Sequence, residues 1–400
     1  MQVILAAAGG GTLLSMTEEC RQAVWAAPCV IGARRLLESL PDKVTGQRLF
    51  ATRPADILAM LQSVNQNGCV VLYSGDTGFY SGTRSLIPLL EQAEISYRVL
   101  PGISSVQLLS AALGRPWQDW QLVSAHGTVC DAVGAVMQGK PTFFLTGGQL
   151  DPAALCRQLA EAGLEDLPVI VGEDLSYPSQ QIRQGTAGEF AALSFQPLSV
   201  LLAEPAPNVT RRTPGFPDSF FLRGEVPMTK QEVRAAVLAK LAPQPDDILW
   251  DVGAGTGSVS VELALAASRG RTYAVECNEA ACELIRANRK KLGAWNLRLV
   301  QGYAPQALSE LESPDAVFIG GTKGSMEETV SVVLAANPKA RICISAICIE
   351  TLYRAVEALQ QHDIVAEIVQ INISRSKAAG SLHLMMANNP VFLIAGNCDV

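Results

Sequence analysis

"LWDVGAGTGSVSVELALA", Leu249 to Ala266, sets an acidic residue ahead of three alternating glycines and follows them with an apolar run. The spacing predicts a strand ending near Asp251, a turn through Gly253, Gly255 and Gly257, and an amphipathic helix from Val259 to Ala266 whose N-terminus faces a ligand. A dinucleotide fingerprint reads GxGxxG and would need its third glycine at Ser258, so this turn points to a different adenosyl ligand. Nineteen positions after Gly257 the next strand, "RTYAVEC", ends at Glu276, a carboxylate placed to accept both hydroxyls of a ribose. The alternative is a tight strand-to-helix turn beside a solvated acid.

Outward from this stretch, strand-like and helical text alternates through both halves, which is an α/β pattern. The first half contributes "QVILAAA", "PCVIGA", "GCVVLYSG", "YRVLPG", "PTFFLTG", "PVIVGED" and "LSVLLAE". The second opens with the helix "TKQEVRAAVLAKLA". It continues through "DILWDVGAG", "RTYAVECN", "LRLVQGYA", "AVFIGGT" and "ARICISAI" to a late pair, "AEIVQINISRS" and "HLMMANNPVFLIAG". Between them "PAPNVTRRTPGFPDSFFLRGEVP" is rich in proline, arginine and turn formers. Domains are therefore expected at 1–204 and 225–400, joined by a junction at 205–224 that lets each fold alone.

Four hundred residues, 48% hydrophobic and 17% charged, suffice for two buried cores. A net charge of −7 argues against nonspecific nucleic-acid binding, which needs a basic footprint. No apolar run approaches the roughly 18 residues of a membrane helix. There is no CxxC pair, and the ten cysteines read as reduced thiols in a cytoplasmic protein. The C-x4-C pairs Cys277 with Cys282 and Cys343 with Cys348 read as core thiols, and no metal site is expected.

"DVGAGTGSVSVELA" and "AVECN" resemble the first two motifs of the seven-strand, Rossmann-like S-adenosylmethionine (SAM) methyltransferases. With "GEVPMTKQEVRAAVLAKL", "DAVFIGGTKG" and "HLMMANNPVFLI", the second half is similar to the decarboxylating carbon-15 methylases of corrin biosynthesis. The resemblance implies that Thr229 lies over the cofactor, that Gly253, Ala254, Gly255, Thr256 and Gly257 bend around its methionine part with Asp251 also at the cofactor site, that Glu276 holds the ribose and that Ala304 borders the adenine. The first half resembles the two-lobed tetrapyrrole methylases, in particular those acting on carbon 5. "CVIGARRLLE", "VVLYSGDTGFYSG", "VLPGISSVQLLSAALGRPWQDWQLVSAHG" and "VGEDLSYPSQQIRQGTAGEFAALSFQPLSVLLAE" carry this likeness. It implies a second SAM site from Gly9, Ser74, Gly75, Asp76, Phe79, Ser104, Ser105, Thr146 and Leu175. That family opens with a G-x-G-P-G turn, whereas "LAAAGGG" has Ala6 and Ala8 for glycines and Gly9 for proline. The expected consequence is a looser turn.

Together the halves imply a bifunctional enzyme of cobalamin biosynthesis, acting on a precorrin or cobalt-precorrin macrocycle and self-associating as a homo-oligomer. Methyl transfer from a sulfonium needs alignment and exclusion of water, with no side-chain nucleophile. His126 and His383 accordingly read as structural, His383 being the better catalytic candidate. A substrate rich in carboxylates calls for arginine forks and ammonium groups. The candidates are Arg211, Arg212, Arg223, Lys230, Lys323, Arg375 and Lys377, with Arg34, Arg35 and Arg84 in the first half. Two other readings stay open: a fused methyltransferase pair for RNA or a small metabolite, and a nonenzymatic SAM-binding scaffold. A nicotinamide dehydrogenase is disfavoured by Ser258.

Overall fold

The computed structural model describes residues 2–12, 14–64, 68–207 and 214–398. They form two compact α/β units. The first comprises 1–130, 140–157 and 166–204; the second comprises 131–139, 158–165 and 205–400.

In the first unit, five parallel strands form one sheet: β1 (Gln2–Ala7), β2 (Cys29–Gly32), β3 (Gln47–Phe50), β4 (Cys69–Tyr73) and β5 (Ser96–Leu100), in the order β3-β2-β4-β1-β5. β1 alternates its side chains between two cores. Val3 and Leu5 pack with Ile57, Leu61 and Leu86, while Ala6 packs with Cys20, Leu37 and Leu72. A second sheet holds β6 (Gln121–Ser124), β7 (Thr142–Leu145), β8 (Pro168–Glu173), β9 (Gln181–Thr186) and β10 (Ser199–Ala203), in the order β6-β7-β10-β8-β9.

The second unit contains β11 (Ile248–Val252), β12 (Arg271–Glu276), β13 (Leu297–Gln301), β14 (Ala316–Ile319), β15 (Arg341–Ala346), β16 (Glu367–Ile371), β17 (Ser374–Ala379), β18 (Leu382–Ala387) and β19 (Val391–Gly396). Seven of these make one sheet, β13-β12-β11-β14-β15-β19-β16, with β19 antiparallel to both neighbours. β17 and β18 form a separate antiparallel ribbon. The strand order turns back at β11, whose carboxyl end therefore opens a crevice between the turns that follow β12 and β14.

Several sequence expectations need correcting. β3, β6 and β9 have no counterpart among the predicted strands, and all three are sheet edges. An edge strand buries less than a central one, so "QRLF" and "QIRQGT" lack an apolar signature. The late pair is in fact four strands. The helix Ser258–Ala266 is not amphipathic: every residue from Ser258 to Ala264 is buried, including Glu262. From Gly215 the junction is part of a core, because Phe216 and Phe221 pack with Val261, Ile285 and Leu297. Of the cysteines read as core thiols, Cys348 is exposed and Cys277 half-buried. No described helix is long and apolar enough to cross a membrane.

Candidate active sites

In the second unit, Gly253, Gly255 and Gly257 take φ angles of +74°, +56° and +73°, a region that L side chains avoid. Space is equally restrictive. A Cβ on Gly253 would stand 2.3 Å from the Gly321 carbonyl oxygen, and one on Gly257 would stand 2.9 Å from Ile285. Glu276, at the end of β12, holds this turn. Its Oε2 accepts from the Gly255 N–H at 2.9 Å, while Oε1 accepts from the N–H groups of Cys277 and Asn278 at 2.8 and 2.9 Å. The Cys277 thiol adds a weak fourth donor to Oε1 at 3.6 Å, whereas Oε2 accepts one N–H and so keeps an acceptor position for a ligand hydroxyl.

These residues line a cavity of about 520 Å³, a volume suited to a small-molecule ligand. Thr229, Gly253, Ala254, Gly255, Glu276, Ala304 and Lys323 all face it. Gly321 faces it as well, and a Cβ there would meet open space, so an unfilled cradle lies beside the glycine turn. Asp251, Thr256 and Gly257 lie outside the lining. Asp251 is fully buried, accepts from the Ser260 hydroxyl through Oδ2 and leaves Oδ1 unpartnered among the described residues. Burial pushes its carboxyl up to about 7, against the hydrogen bond from Ser260 and with a smaller contribution from the Glu276 charge.

A buried ion network mounts the strand of backbone above the cavity. Arg234, with no exposed surface, donates to Glu262 Oε1 at 2.8 Å, to Asp218 Oδ1 at 2.9 Å, to the Thr229 carbonyl at 2.5 Å and to the Phe216 carbonyl. Glu262 in turn accepts from the Phe216 N–H at 3.0 Å. Neither Arg234 nor Glu262 is among the sequence candidates, since nothing in "QEVRAAV" or "SVELALA" separates a buried, paired charge from a solvated one. Burial works against the Asp218 charge, but Arg234 and Arg375 outweigh it and hold this carboxyl below the usual range.

That network also absorbs several substrate candidates. Both terminal nitrogens of Arg375 are engaged, on Asp218 at 2.9 Å and Glu232 at 2.5 Å, and Arg223 lies 3.4 Å from Asp218. Lys230 stands at the N-cap position of the helix Gln231–Leu241 without a side-chain cap, and Lys377 is exposed on β17. His383 is exposed on β18 opposite Ala378 and lines neither cavity. Lys323 sits 5.3 Å from the Tyr303 ring at the cavity. Arg211 and Arg212 lie outside the described residues.

In the first unit the equivalent cavity measures about 490 Å³ and sits at the carboxyl ends of β1 and β4. It gathers Gly9, Ser74, Gly75, Asp76, Phe79, Ser104, Ser105, Thr146 and Leu175. The altered glycine turn is not loose. Gly9 and Gly75 exchange two backbone hydrogen bonds, of 3.1 and 2.8 Å, and a Cβ on Gly9 would stand 2.2 Å from the Ser15 carbonyl oxygen. Asp76 accepts from the N–H groups of Gly78 at 2.7 Å and Gly102 at 2.9 Å, tying the turn after β4 to the one after β5. Thr146 donates to the Ser199 carbonyl at 2.5 Å. Arg35, His126 and Tyr177 also line this cavity, and Arg35 donates to the Tyr177 hydroxyl at 2.6 Å and to Ser74 Oγ at 3.1 Å. Tyr177 carries no sequence signal beyond its place in "LSYPSQQ". Arg34 instead stacks over Phe50, and Arg84 is exposed on the helix Thr83–Gln92.

Residues 2–191 match the family of Tetrapyrrole (Corrin/Porphyrin) Methylases, and residues 219–396 match the Precorrin methyltransferase domain. A relative from Sinorhizobium sp, named precorrin-6Y C(5,15)-methyltransferase (decarboxylating), is 30% identical over 381 residues, 94% of this chain and 91% of that protein. The second half alone is 42% identical, over 46% of this chain and 95% of the relative, to a probable cobalt-precorrin-6B C(15)-methyltransferase (decarboxylating) from Pyrobaculum calidifontis. A crystal structure titled precorrin-6y C5,15-methyltransferase, from Geobacter metallireducens GS-15, is 36% identical and covers 47% of this chain and 99% of that one, with a TM-score of 0.45. With a relative this similar along almost its whole length, the chain belongs to the family of decarboxylating, SAM-dependent precorrin-6Y C(5,15)-methyltransferases.

Proposed function

We propose that the chain methylates one tetrapyrrole twice in cobalamin biosynthesis, with a separate SAM site in each domain. In this reading residues 1–204 act on carbon 5. Residues 225–400, with the end of the junction from Gly215 packed into their core, act on carbon 15 and release the carboxyl of the ring C acetate as carbon dioxide. The observation that carries it is that each unit has its own cavity at the carboxyl ends of parallel strands, closed by a glycine turn and an acid bonded to main-chain N–H groups.

Bound SAM supplies a methyl group already activated by its sulfonium. The protein's work is binding, orientation and exclusion of water. In the second unit Glu276 Oε2 would take a ribose hydroxyl, the Gly253–Gly255 backbone would receive the methionine part, Thr229 would cover it and Ala304 would border the adenine. In the first, the turns carrying Gly9, Gly75 and Ser104 approach the cofactor with main chain. Arg35 and Lys323, the candidate cations that line these two cavities, anchor substrate carboxylates. The substrate is a precorrin or its cobalt form, and the enzyme works as a homo-oligomer in the cytoplasm.

The test is to incubate the purified full chain with SAM and, in parallel, the metal-free and cobalt forms of the tetrapyrrole, followed by mass spectrometry. The expected product has gained two methyl groups and lost one carbon dioxide. SAM bound without turnover of either form would support a scaffold instead.

A further inference from the structure

We propose that His126 is the proton acceptor for methylation at carbon 5, a role that rests on reading the first cavity as the carbon-5 site. Replacing the hydrogen of a methine carbon by methyl requires a base. As the new carbon–carbon bond forms and the methyl–sulfur bond breaks, the ring carbon carries both hydrogen and methyl. Its C–H electron pair then returns to the conjugated system, and the hydrogen leaves as a proton. Methyl transfer and proton loss balance with no further reactant.

The titratable side chains lining this cavity are Arg35, Tyr73, Asp76, Tyr80, His126 and Tyr177. Arg35 is a cation bonded to Tyr177 and Ser74. Burial holds the Tyr73 phenol protonated by raising it above its usual range. Tyr80 donates to the Leu122 carbonyl at 2.9 Å. Each Asp76 oxygen already accepts a backbone N–H, and protonating the carboxylate would weaken the tie between two turns. His126 differs. Its Nδ1 lies 3.3 Å from the Thr146 carbonyl oxygen, which can only accept, so Nδ1 carries the hydrogen and Nε2 presents a lone pair. Nε2 has no partner among the described residues. The imidazole is exposed, so a proton taken at Nε2 has a route to water.

The mount is specific. Thr146 is fixed by its own bond to the Ser199 carbonyl, and the ring lies so close over Gly147 that a Cβ there would stand 1.9 Å from Nδ1. Gly147 is thus a positioning residue for the imidazole, although the sequence ranks His126 below His383.

The experiment uses the full chain with SAM and the tetrapyrrole. His126→Asn keeps an N–H donor for the Thr146 carbonyl and removes the base. Carbon-5 methylation should fall by on the order of a hundredfold or more in kcat, the usual contribution of a general base. Calorimetric SAM affinity, carbon-15 methylation and carbon dioxide release should stay at wild-type values. Added imidazole should restore much of the rate to His126→Ala, which a packing role would not allow. Gly147→Ala should mimic the histidine loss, and combining it with His126→Ala should cost nothing more. An undiminished carbon-5 rate in His126→Asn, or no rescue by imidazole, overturns the assignment of His126. A wild-type chain that never methylates carbon 5 overturns the underlying reading as well.

Discussion

The two cavities meet the same demand, a rigid turn of bare backbone, through different partners. In the first unit rigidity comes from hydrogen bonds: Gly9 and Gly75 exchange N–H and C=O, and Asp76 joins the turns after β4 and β5. In the second, Gly253 and Ala254 donate to the Val275 carbonyl, Glu276 accepts from the Gly255 N–H, and Gly253 and Gly257 pack closely against the Gly321 carbonyl and Ile285. A missing proline therefore does not loosen the first turn. The lesson is that a departure from a family's turn sequence matters only if the lost restraint is not replaced from elsewhere in the fold.

Disabling one cavity at a time is the strongest way to break the comparison. In Gly255→Val a branched side chain meets a φ of +56° and the Pro227 carbonyl oxygen 3.0 Å from its Cβ. Carbon-15 methylation and carbon dioxide release should both disappear while carbon 5 is still methylated. Asp76→Ala removes the tie between the first unit's turns and should do the reverse. Mass spectrometry of each product reads both outcomes, and carbon dioxide release by Gly255→Val at the normal rate would take decarboxylation away from the second unit.

A smaller effect sharpens the role of the acids. Glu276→Ala leaves three backbone N–H groups without their acceptor, and SAM affinity at the second site should fall by on the order of a hundredfold. Glu276→Gln keeps one oxygen and should lose about tenfold. Titration calorimetry on the full chain should show the first site unaffected by either change.

A last prediction, read in stability and not in catalysis, concerns Asp251, which is fully buried behind the second turn. Its carboxyl is pushed from the ordinary aspartate range up to about 7, so the folded state binds a proton that the unfolded chain has already released. The sign follows: this contribution favours folding at low pH and is lost as pH rises toward 7. Relative to Asp251→Asn, the wild type should lose up to about 1.4 kcal/mol per pH unit between about pH 4 and 7, then level off. Urea denaturation of both proteins across this range checks it.

Much of the fold was legible because central strands are buried on both faces and read as apolar runs. "ILWDV" and "CVVLY" are nearly continuous signals, and the glycines at 253, 255 and 257 announce their left-handed turn. Edge strands such as β3 and β9 were not, since their polar text matches that of loops. The cavity residues of the first unit could be named from the family resemblance, while His126, at a strand end followed by glycine, offered nothing to separate a cavity histidine from a surface one.

What the sequence by itself determined is the α/β alternation, the two motif sets and the family, all of which depend on residues near one another in the chain. Only the tertiary structure decided which charges are spoken for. Arg234 and Glu262 lie 28 positions apart yet meet in a core, and Arg375 reaches Asp218 from 157 positions away. Local text cannot distinguish a buried, paired arginine from a solvated one. The pairing energy depends on the dielectric and partners supplied by distant segments, and folding alone brings those together.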